Sequence, residues 1–324
     1  MKKSLLALAV LGAFAGAASA QSSVTLYGLL DVSLTSDKTD NGDSTKNMTS
    51  GALNGSRWGL RGVEDLGGGL AATFTLESGY NADTGVGSAD GLFNRTSLVG
   101  LQGGFGAVTL GRSLTLNDDV RGAFVMERTR FDPSDKVWAE GGNDYVGRFS
   151  NRIRYLSPSF GGFQAGAEVA GENAYKSYAF KAGYAAGPLA AWLSYQRDND
   201  TAAPHDAKKY LTLLANYTFG MVTLSGMYGR ETNDTTVADD NAKEYALGAK
   251  FQLTPAADVR IAYARSKVDG ADLSAKGWGL ESQYKLSART KLFAGYRSNK
   301  DDKKDAAGDV LKDTTFGVGI QHRF

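Results

Sequence analysis

The sequence predicts an all-β fold, a closed antiparallel barrel of sixteen strands that crosses a membrane. Three observations predict this fold. Apolar and polar side chains alternate with period two along most of the chain, as in strands with one apolar and one polar face. Most alternating stretches run for about 10 to 12 residues, the length that a tilted strand needs to cross a bilayer. Their number is even, as in bacterial membrane barrels.

The first twenty residues carry the features of a secretory signal peptide. Lys2 and Lys3 precede an apolar run over residues 5–18, and Ala18-Ser19-Ala20 is a small-residue cleavage pattern. A buried N-terminal helix is the alternative, but the charged start, the length of the run and the A-x-A end all match a signal peptide. We expect cleavage after Ala20 and a mature barrel over residues 21–324.

Each predicted strand shows the two-faced pattern. In one of them Leu211, Leu213 and Ala215 fall on one face, and Thr212 and Asn216 fall on the other. No stretch has a helical period of comparable quality. The predicted strands lie at about residues 23–36, 55–65, 69–80, 93–103, 106–114, 147–157, 162–171, 176–186, 188–198, 209–219, 221–230, 243–254, 257–267, 275–286, 288–299 and 313–324.

The connections between strands alternate in length. Short turns rich in glycine or proline, such as 67–69 and 157–161, alternate with longer polar loops such as 37–54, 231–242 and 300–312. Short turns on one rim and long loops on the other are typical of outer-membrane barrels, in which the long loops face outside. The longest connection, about 115–146, carries seven acidic and four basic residues. A loop of this length is expected to be functional.

A soluble β-sandwich is the alternative, because its strands also alternate. The placement of the aromatic residues favours the membrane barrel: Tyr155, Tyr217, Phe251 and Tyr284 lie on the apolar face near strand ends. In a barrel these positions meet the two membrane interfaces. Closure of the barrel also pairs every backbone N–H and C=O group, which the hydrocarbon core demands.

The composition excludes several classes of site. The chain has no Cys, which excludes disulfides, thiolate nucleophiles and cysteine metal sites. It has only two His, His205 in a polar loop and His322 on the apolar face, so a Ser-His-Asp triad or a two-histidine metal site lacks its residues. We therefore expect no enzyme activity, metal or cofactor. With 36 Lys and Arg against 35 Asp and Glu, there is no basic footprint for nucleic acid.

Five motifs along the mature chain point to a known family. They are S-V-T-L-Y-G-x-x-D at 23–31, S-R-W-G-L-R-G-V-E-D-L-G-G-G-L at 56–70, N-R-T-S-L-V-G-L-Q-G-G-F-G-A-V-T-L-G-R at 94–112, N-R-I-R-Y-L-S-P-S-F-G-G-F at 151–163 and F-G-V-G-I-Q-H-R-F at 316–324. Together they resemble the Gram-negative general porins, most closely the neisserial and betaproteobacterial type.

This resemblance implies a homotrimer of sixteen-stranded, water-filled barrels in the outer membrane, among outer-membrane lipids and lipopolysaccharide. The third external loop is implied to fold inward and narrow the pore. Phe324 is implied to belong to the signal that the barrel-assembly machinery reads.

The resemblance also implies that basic residues on the barrel wall face acidic residues of the inserted loop. Arg57, Arg95 and Arg148 match the basic positions by motif, and Arg61, Arg152 and Arg154 share the polar face by parity. The expected acidic partners are Asp118, Asp119, Glu127, Asp132 and Asp135. Opposed rows of charge would create a transverse field at the narrowing. The alternative role for such an arginine is structural, with a loop carboxylate pinning the loop to the wall.

The predicted function is passive diffusion of ions and small hydrophilic solutes through a channel. A barrel adhesin or receptor with ligand-binding external loops is the alternative. An outer-membrane lipase or protease is disfavoured because both histidines of the chain are badly placed for catalysis.

The sign of ion selectivity stays open, because the wall arginines favour anions whereas the longest connection is acidic. Some neisserial relatives carry a lysine in the first strand, where this chain has Leu29, Leu30 and Asp31. This departure weakens the expectation of strong anion selectivity. Arg112 shares the parity of Val108 and Leu110, so unless a β-bulge shifts it, we expect it to guard the root of the longest connection.

Overall fold

The computed structural model describes residues 23–39, 44–126, 129–140, 145–171, 177–199, 207–233, 241–269, 274–304 and 310–324, so the predicted signal peptide lies outside the described residues. Within these ranges the chain forms β-strands and two short helices. They are β1 Ser23–Thr39, β2 Ser44–Ser50, β3 Arg57–Gly67, β4 Leu70–Gly79, β5 Thr96–Gly103, β6 Gly106–Leu114, α1 Leu116–Arg121, α2 Pro133–Glu140, β7 Arg148–Leu156, β8 Phe163–Ala170, β9 Ser177–Ala186, β10 Leu189–Asn199, β11 Ala207–Phe219, β12 Val222–Asn233, β13 Ala242–Gln252, β14 Ala257–Val268, β15 Ser274–Lys285, β16 Thr290–Lys304 and β17 Val310–Arg323.

The strands form one closed antiparallel barrel. From β3 to β17 each strand pairs with the next in the chain, and β17 pairs with β1 from Leu29↔Arg323 to Thr39↔Asp313. Both β2 and β3 pair with β1, β2 with its second half and β3 with its first half. They therefore act as two pieces of one barrel strand, and the described strands make the sixteen-stranded barrel that the alternation predicts.

The two faces of the wall differ as the sequence predicts. Leu213, Leu247 and Leu280 are exposed on what we call the apolar face. Glu244 and Glu281 are fully buried on the opposite face, which we call the polar face. This separation follows from the period of two, which sends successive side chains to opposite sides of a sheet.

The seam of the barrel joins the first and the last of the five sequence motifs through Asp31 and Gln321. The carboxylate of Asp31 accepts backbone N–H groups from Ala52, Leu53 and Asn54 at 3.0–3.1 Å. It also accepts Nε2 of Gln321 at 2.8 Å. Asp31 is fully buried, and these bonds hold the bend between β2 and β3 against the last strand. Charge-assisted hydrogen bonds of this kind are about twice as strong as neutral ones.

The structure differs from the sequence prediction in two places. The connection 37–54, expected as a loop, contains the hairpin strand β2, whose Thr and Ser residues have little apolar pattern. The connection between β6 and β7, residues 115–147, contains the helices α1 and α2, which are too short to show a helical period. No helix in the described part of the chain is long and apolar enough to cross a membrane.

The hydrophobic core lies between connection 115–147, which we call the long loop, and the polar face of the wall. It joins loop residues such as Phe124, Phe131 and Trp138 to wall residues such as Leu214 and Phe293. Helix α1 contacts β8–β11 and α2 contacts β13–β16. The polar face is therefore not uniformly polar, and its apolar patch is where the long loop packs.

Candidate functional site

The three arginines assigned by motif lie close together on the polar face. Glu77 of β4 stands between them: its Oε1 lies 2.7 Å from Nε of Arg95 and 3.8 Å from Nη1 of Arg57. Arg148 donates from Nε to the backbone oxygen of Arg95 at 3.2 Å. The strand register explains the group, because Glu77 pairs with Gly59 of β3 on one side and Thr96 of β5 on the other. We call these four charged residues the basic cluster.

Arg61 lies on the same strand as Arg57 but outside the basic cluster. It is exposed, and its guanidinium carbon lies 5.3 Å from the centroid of the Tyr27 ring, in a cation–π arrangement. Four residues of strand separate the two arginines by about 13 Å.

Arg152 and Arg154 form a second, more buried group. Oε2 of Glu168 lies 2.8 Å from Nε of Arg154 and 3.3 Å from Nη1 of Arg152. The side chains of Glu168 and Arg152 are 0% and 1% exposed. Glu168 also accepts the backbone N–H of Leu116 at 2.7 Å, and Arg152 donates to the backbone oxygen of Leu114 at 3.2 Å. These contacts match the structural alternative, in which the arginines hold the start of the long loop.

Among the predicted loop acids, Asp119 pairs with a predicted arginine. Its Oδ2 lies 3.1 Å from Nη1 of Arg154 and 3.4 Å from Nζ of Lys181. Asp118 accepts the hydroxyl of Tyr145 at 2.9 Å. Asp135 is exposed on α2, and Glu127 lies outside the described residues.

Asp132 is fully buried beside the start of α2. Its Oδ1 accepts the backbone N–H of Ser134 at 2.9 Å and the hydroxyl of the same residue at 2.8 Å. Burial raises the pKa of Asp132 to about 6, although the bonds from Ser134 oppose the shift. Burial penalises the charged form of a carboxyl group, and two hydrogen bonds do not fully offset it.

Polar contacts fix the middle of the long loop to the wall. Thr129 donates to Glu281 at 2.6 Å, and Arg130 donates to Asp37 at 2.8 Å. Two wall arginines donate to backbone carbonyl oxygens of the loop. Arg260 donates to the oxygen of Val125 at 3.1 Å, and Arg297 donates to the oxygen of Arg130 at 2.8 Å. The contacts of the loop therefore lie mainly on β7–β17 and β1, whereas Arg57, Glu77 and Arg95 of the basic cluster lie on or beside β3–β5.

Sequence reasoning missed the charged partners on the wall itself. Glu77, Glu168 and Lys181 all lie on the polar parity of predicted strands, so the alternation could have identified them. We expected the partners on the long loop instead. Among its described acids, Asp119 forms a salt bridge with a predicted arginine, Arg154.

Arg112 lies at a β-bulge, the condition under which its parity would change. The register between β6 and β7 shifts between Gly111 and Ser113, and Gly111 has φ of 125°. Arg112 donates from Nε to the backbone oxygen of Asn94 at 2.7 Å and from Nη1 to the hydroxyl of Ser150 at 2.7 Å. It thus ties β6 to the segments on both sides.

The remaining predicted positions are simple to place. Phe324 closes the barrel through two backbone bonds of 3.1 Å with Gly28. His322 lies 2.8 Å from the hydroxyl of Thr290, and His205 lies outside the described residues. Within the described ranges, no group of His, Cys, Asp and Glu side chains is placed to hold a metal ion.

Comparison with known proteins agrees with this architecture. Residues 7–304 match the family model described as Gram-negative porin. Outer membrane porin protein 32 of Delftia acidovorans is 36% identical over 354 aligned residues, and an outer membrane porin protein of Bordetella pertussis is 32% identical over 391, with each alignment covering 100% of both chains.

Two solved structures show the same fold. The anion-selective porin from Comamonas acidovorans superposes with a TM-score of 0.83 and 30% identity, covering 94% of this chain and 100% of that one. OmpT of Vibrio cholerae superposes with a TM-score of 0.71 over 95% of this chain and 100% of that one, and its 17% identity supports the fold alone. This chain therefore belongs to the Gram-negative porin family and forms a channel in the outer membrane.

Proposed function

We propose that the channel is a water-filled pore for passive diffusion of ions and small hydrophilic solutes, and that it narrows between the basic cluster and an inward-folded long loop. The observation that carries this proposal is the division of the wall into two arcs. The described contacts of the long loop lie mainly on β7–β17 and β1, whereas Arg57, Glu77 and Arg95 of the basic cluster lie on or beside β3–β5, in the remaining arc of the wall.

We further propose that the narrowing favours anions. The basic cluster holds Arg57, Arg95 and Arg148 against one carboxylate, that of Glu77, so its formal charge is positive. Several loop acids are buried or already paired, which reduces their opposing effect. The similar porin from Comamonas acidovorans is named as anion-selective. Fixed positive charge at a constriction raises the local concentration of anions.

Planar-bilayer recordings test both proposals. The refolded protein should show single-channel steps, and its reversal potential in a salt gradient should indicate anion preference. The triple variant R57Q/R95Q/R148Q should move that potential toward cation preference. The control variant K276Q removes a cation exposed on the apolar face and should leave the potential unchanged. An unchanged potential in the triple variant would contradict the role of the basic cluster.

The absence of any conductance would favour the other candidate, a barrel adhesin or receptor that binds ligands with its external loops. We assign no enzymatic role, because the relatives that support the channel are named as porins.

Three further properties belong to the proposal. The signal peptide is cleaved after Ala20, the mature chain assembles as a homotrimer, and its partners are the barrel-assembly machinery and the lipids of the outer membrane, lipopolysaccharide included. Native mass spectrometry of protein purified from membranes tests the first two. A mass that corresponds to three chains beginning at Gln21 is expected, and a monomer or an uncleaved chain would contradict one of them.

A further inference from the structure

A β-bulge lies at the root of the long loop, between β6 and β7. The register is regular up to Gly111↔Arg152 and resumes, shifted by one residue, at Ser113↔Phe149. One residue of β6, Arg112, therefore faces two residues of β7, at positions 150 and 151. A bulge bends the strand that carries the extra residue and re-aims its side chains. This bulge therefore decides which way the side chains at the start of β7 point.

Two residues give the bulge an unusual backbone. Asn151 has φ of 49°, the one positive φ outside glycine among the residues that the structure describes. Residues other than Gly, Asn, Asp and His rarely adopt this left-handed conformation. On the other strand, Gly111 has φ of 125°, and a Cβ atom there would overlap the backbone oxygen of Ser97. The end of one sequence motif, 94–112, and the beginning of another, 151–163, therefore meet in the bulge.

The bulge turns Phe149 toward the long loop. In an unbroken strand Phe149 would share the apolar face with Ile153 and Tyr155, because side chains two residues apart lie on one face. In the shifted register it is instead 4% exposed and packs with Leu116, the first residue of α1, and with Ala170 of β8. Leu116 is itself fully buried. The start of the long loop therefore has an apolar anchor that depends on the extra residue.

The bulge also places two arginines on the segment that leads into β5. Arg112 donates from Nε to the backbone oxygen of Asn94 and from Nη1 to the hydroxyl of Ser150, both at 2.7 Å. Arg148, at the start of β7, donates from Nε to the backbone oxygen of Arg95 at 3.2 Å. One residue of strand is about 3.3 Å long, so a β7 without the extra residue would carry Arg148 out of reach of that oxygen.

We propose that Asn151 is a positioning residue for the narrowing of the pore. Its left-handed backbone holds the β-bulge, and the bulge sets the position of Arg148 in the basic cluster and of the root of the long loop. This inference rests on the proposed narrowing and assigns a residue through which it is held. Because the role belongs to the backbone, glycine, which adopts positive φ without steric cost, should replace Asn151, and a β-branched residue should not.

Reversal potentials in a salt gradient test the effect on the basic cluster. Asn151→Val should move the potential toward cation preference, as Arg148→Gln does, because both changes take the Arg148 charge out of the cluster. The double variant N151V/R148Q should move it by less than the sum of the two single shifts, since Asn151 acts through Arg148. Asn151→Gly should match the wild type. Asn47→Val, at an exposed position of β2 without a positive φ, is the matched control and should also match the wild type.

A thiol at the root of the long loop tests the second effect. The chain has no Cys, so Leu116→Cys introduces a single reactive group at a fully buried position. Maleimide should label this thiol slowly in the protein with Asn151 and in the Asn151→Gly background. In the Asn151→Val background the root should open more often, and labelling should be at least about fivefold faster. Heat-modified mobility on gels shows that each barrel has folded. Where Asn151→Val fails to fold, Asn151→Ala, whose Cβ is not branched, replaces it.

Three outcomes would overturn the inference. Wild-type potential and labelling in Asn151→Val would show that the bulge does not depend on this residue. Equal effects of Asn151→Gly and Asn151→Val would assign the role to the asparagine side chain instead of the backbone. Fully additive shifts in N151V/R148Q would show that Asn151 does not act through Arg148. Failure of the proposed function looks different: an unchanged potential in Arg148→Gln would concern the basic cluster, whereas the thiol labelling still tests the bulge.

Discussion

Two glutamates of the wall decide how the arginines of the polar face are arranged. Glu77 bridges Arg57 and Arg95, which are partly exposed, whereas Glu168 joins Arg152 and Arg154 to the start of the long loop in a buried group. Partial exposure leaves the first group in contact with water, as the proposed role at the narrowing requires. Burial makes the second group structural, because a buried charge pair loses stability when one partner is removed.

The first prediction concerns Glu77→Gln. Removal of this carboxylate takes away the negative charge between two arginines without changing side-chain size. A unit negative charge about 8 Å away in water disfavours an anion and favours a cation by about 0.5 kcal/mol each. Its removal should therefore raise the anion-to-cation permeability ratio about fivefold. Reversal potentials in a salt gradient measure this ratio. Glu64→Gln, at an exposed position near the end of β3, is the matched control, and an equal ratio in both variants would contradict the prediction.

A second prediction concerns the buried carboxyl group of Asp132. Its pKa in the folded protein, about 6, lies above the ordinary value of 3.8. Below pH 3.8 the carboxyl group of Asp132 is protonated in both the folded and the unfolded chain, so its burial does not lower the free energy of unfolding. As the pH rises from 3.8 to 6 the unfolded chain ionises first and stability falls, and above pH 6 the full cost persists.

Asp132→Asn should therefore raise the free energy of unfolding at pH 8 by about 1–3 kcal/mol and leave it unchanged at about pH 3.5. Denaturant unfolding of the detergent-solubilised protein at the two pH values provides the measurement. Asp135→Asn, at an exposed position of the adjoining helix α2, should change stability by less than about 0.5 kcal/mol at either pH. A gain for Asp132→Asn that is the same at both pH values would contradict the explanation.

At the scale of elements, the long loop packs where the wall lacks side chains. Gly295 and Gly317 are direct partners on β16 and β17, and the ring of Phe131 lies over both. Gly248 of β13 faces Val125 and Phe124 in the same way. The sequence marks these positions as glycines on strand faces, but the side chains that fill the space become visible only in the fold.

A third prediction follows from this packing. A Cβ atom on Gly295 would overlap the Phe131 ring, so Gly295→Ala should displace the long loop and leave the barrel intact. We expect a changed single-channel conductance and faster proteolysis within residues 115–147, with the barrel itself still resistant. Gly226→Ala is the matched control, because its Cβ would meet only Cδ2 of Leu247, at 3.7 Å. Identical conductance and proteolysis in the two variants would contradict the packing argument.

At the scale of the whole molecule, the closing seam joins β1, the first described strand, to β17, the last. Phe324 exchanges two backbone bonds with Gly28, and its ring fills the space that a Cβ on Gly28 would need. The backbone bonds do not depend on the Phe324 side chain. Its ring is therefore available for a second role during assembly, as the family resemblance implies.

The fourth prediction separates these two roles. Phe324→Ala should refold in detergent with a yield near that of the wild type, because its seam bonds remain, but its amount in the outer membrane of cells should fall several-fold. Heat-modified mobility on gels and membrane fractionation provide the two measurements. Phe316→Ala removes another exposed ring of β17 and should reach the membrane normally. Equal amounts of both variants in the membrane would argue against an assembly signal at Phe324.

The sixteen-stranded barrel, the faces of its strands and the wall arginines could all be predicted from the chain alone. These features depend on a period of two and on local motifs, which are readable along the sequence. The partners of those arginines depend on tertiary structure, because the register between strands sets which residues from distant parts of the chain stand side by side, as Glu77 does with Arg95. The hairpin strand β2 and the helices of the long loop are too weakly patterned or too short to be read from the sequence, and their packing on the rest of the barrel makes them visible.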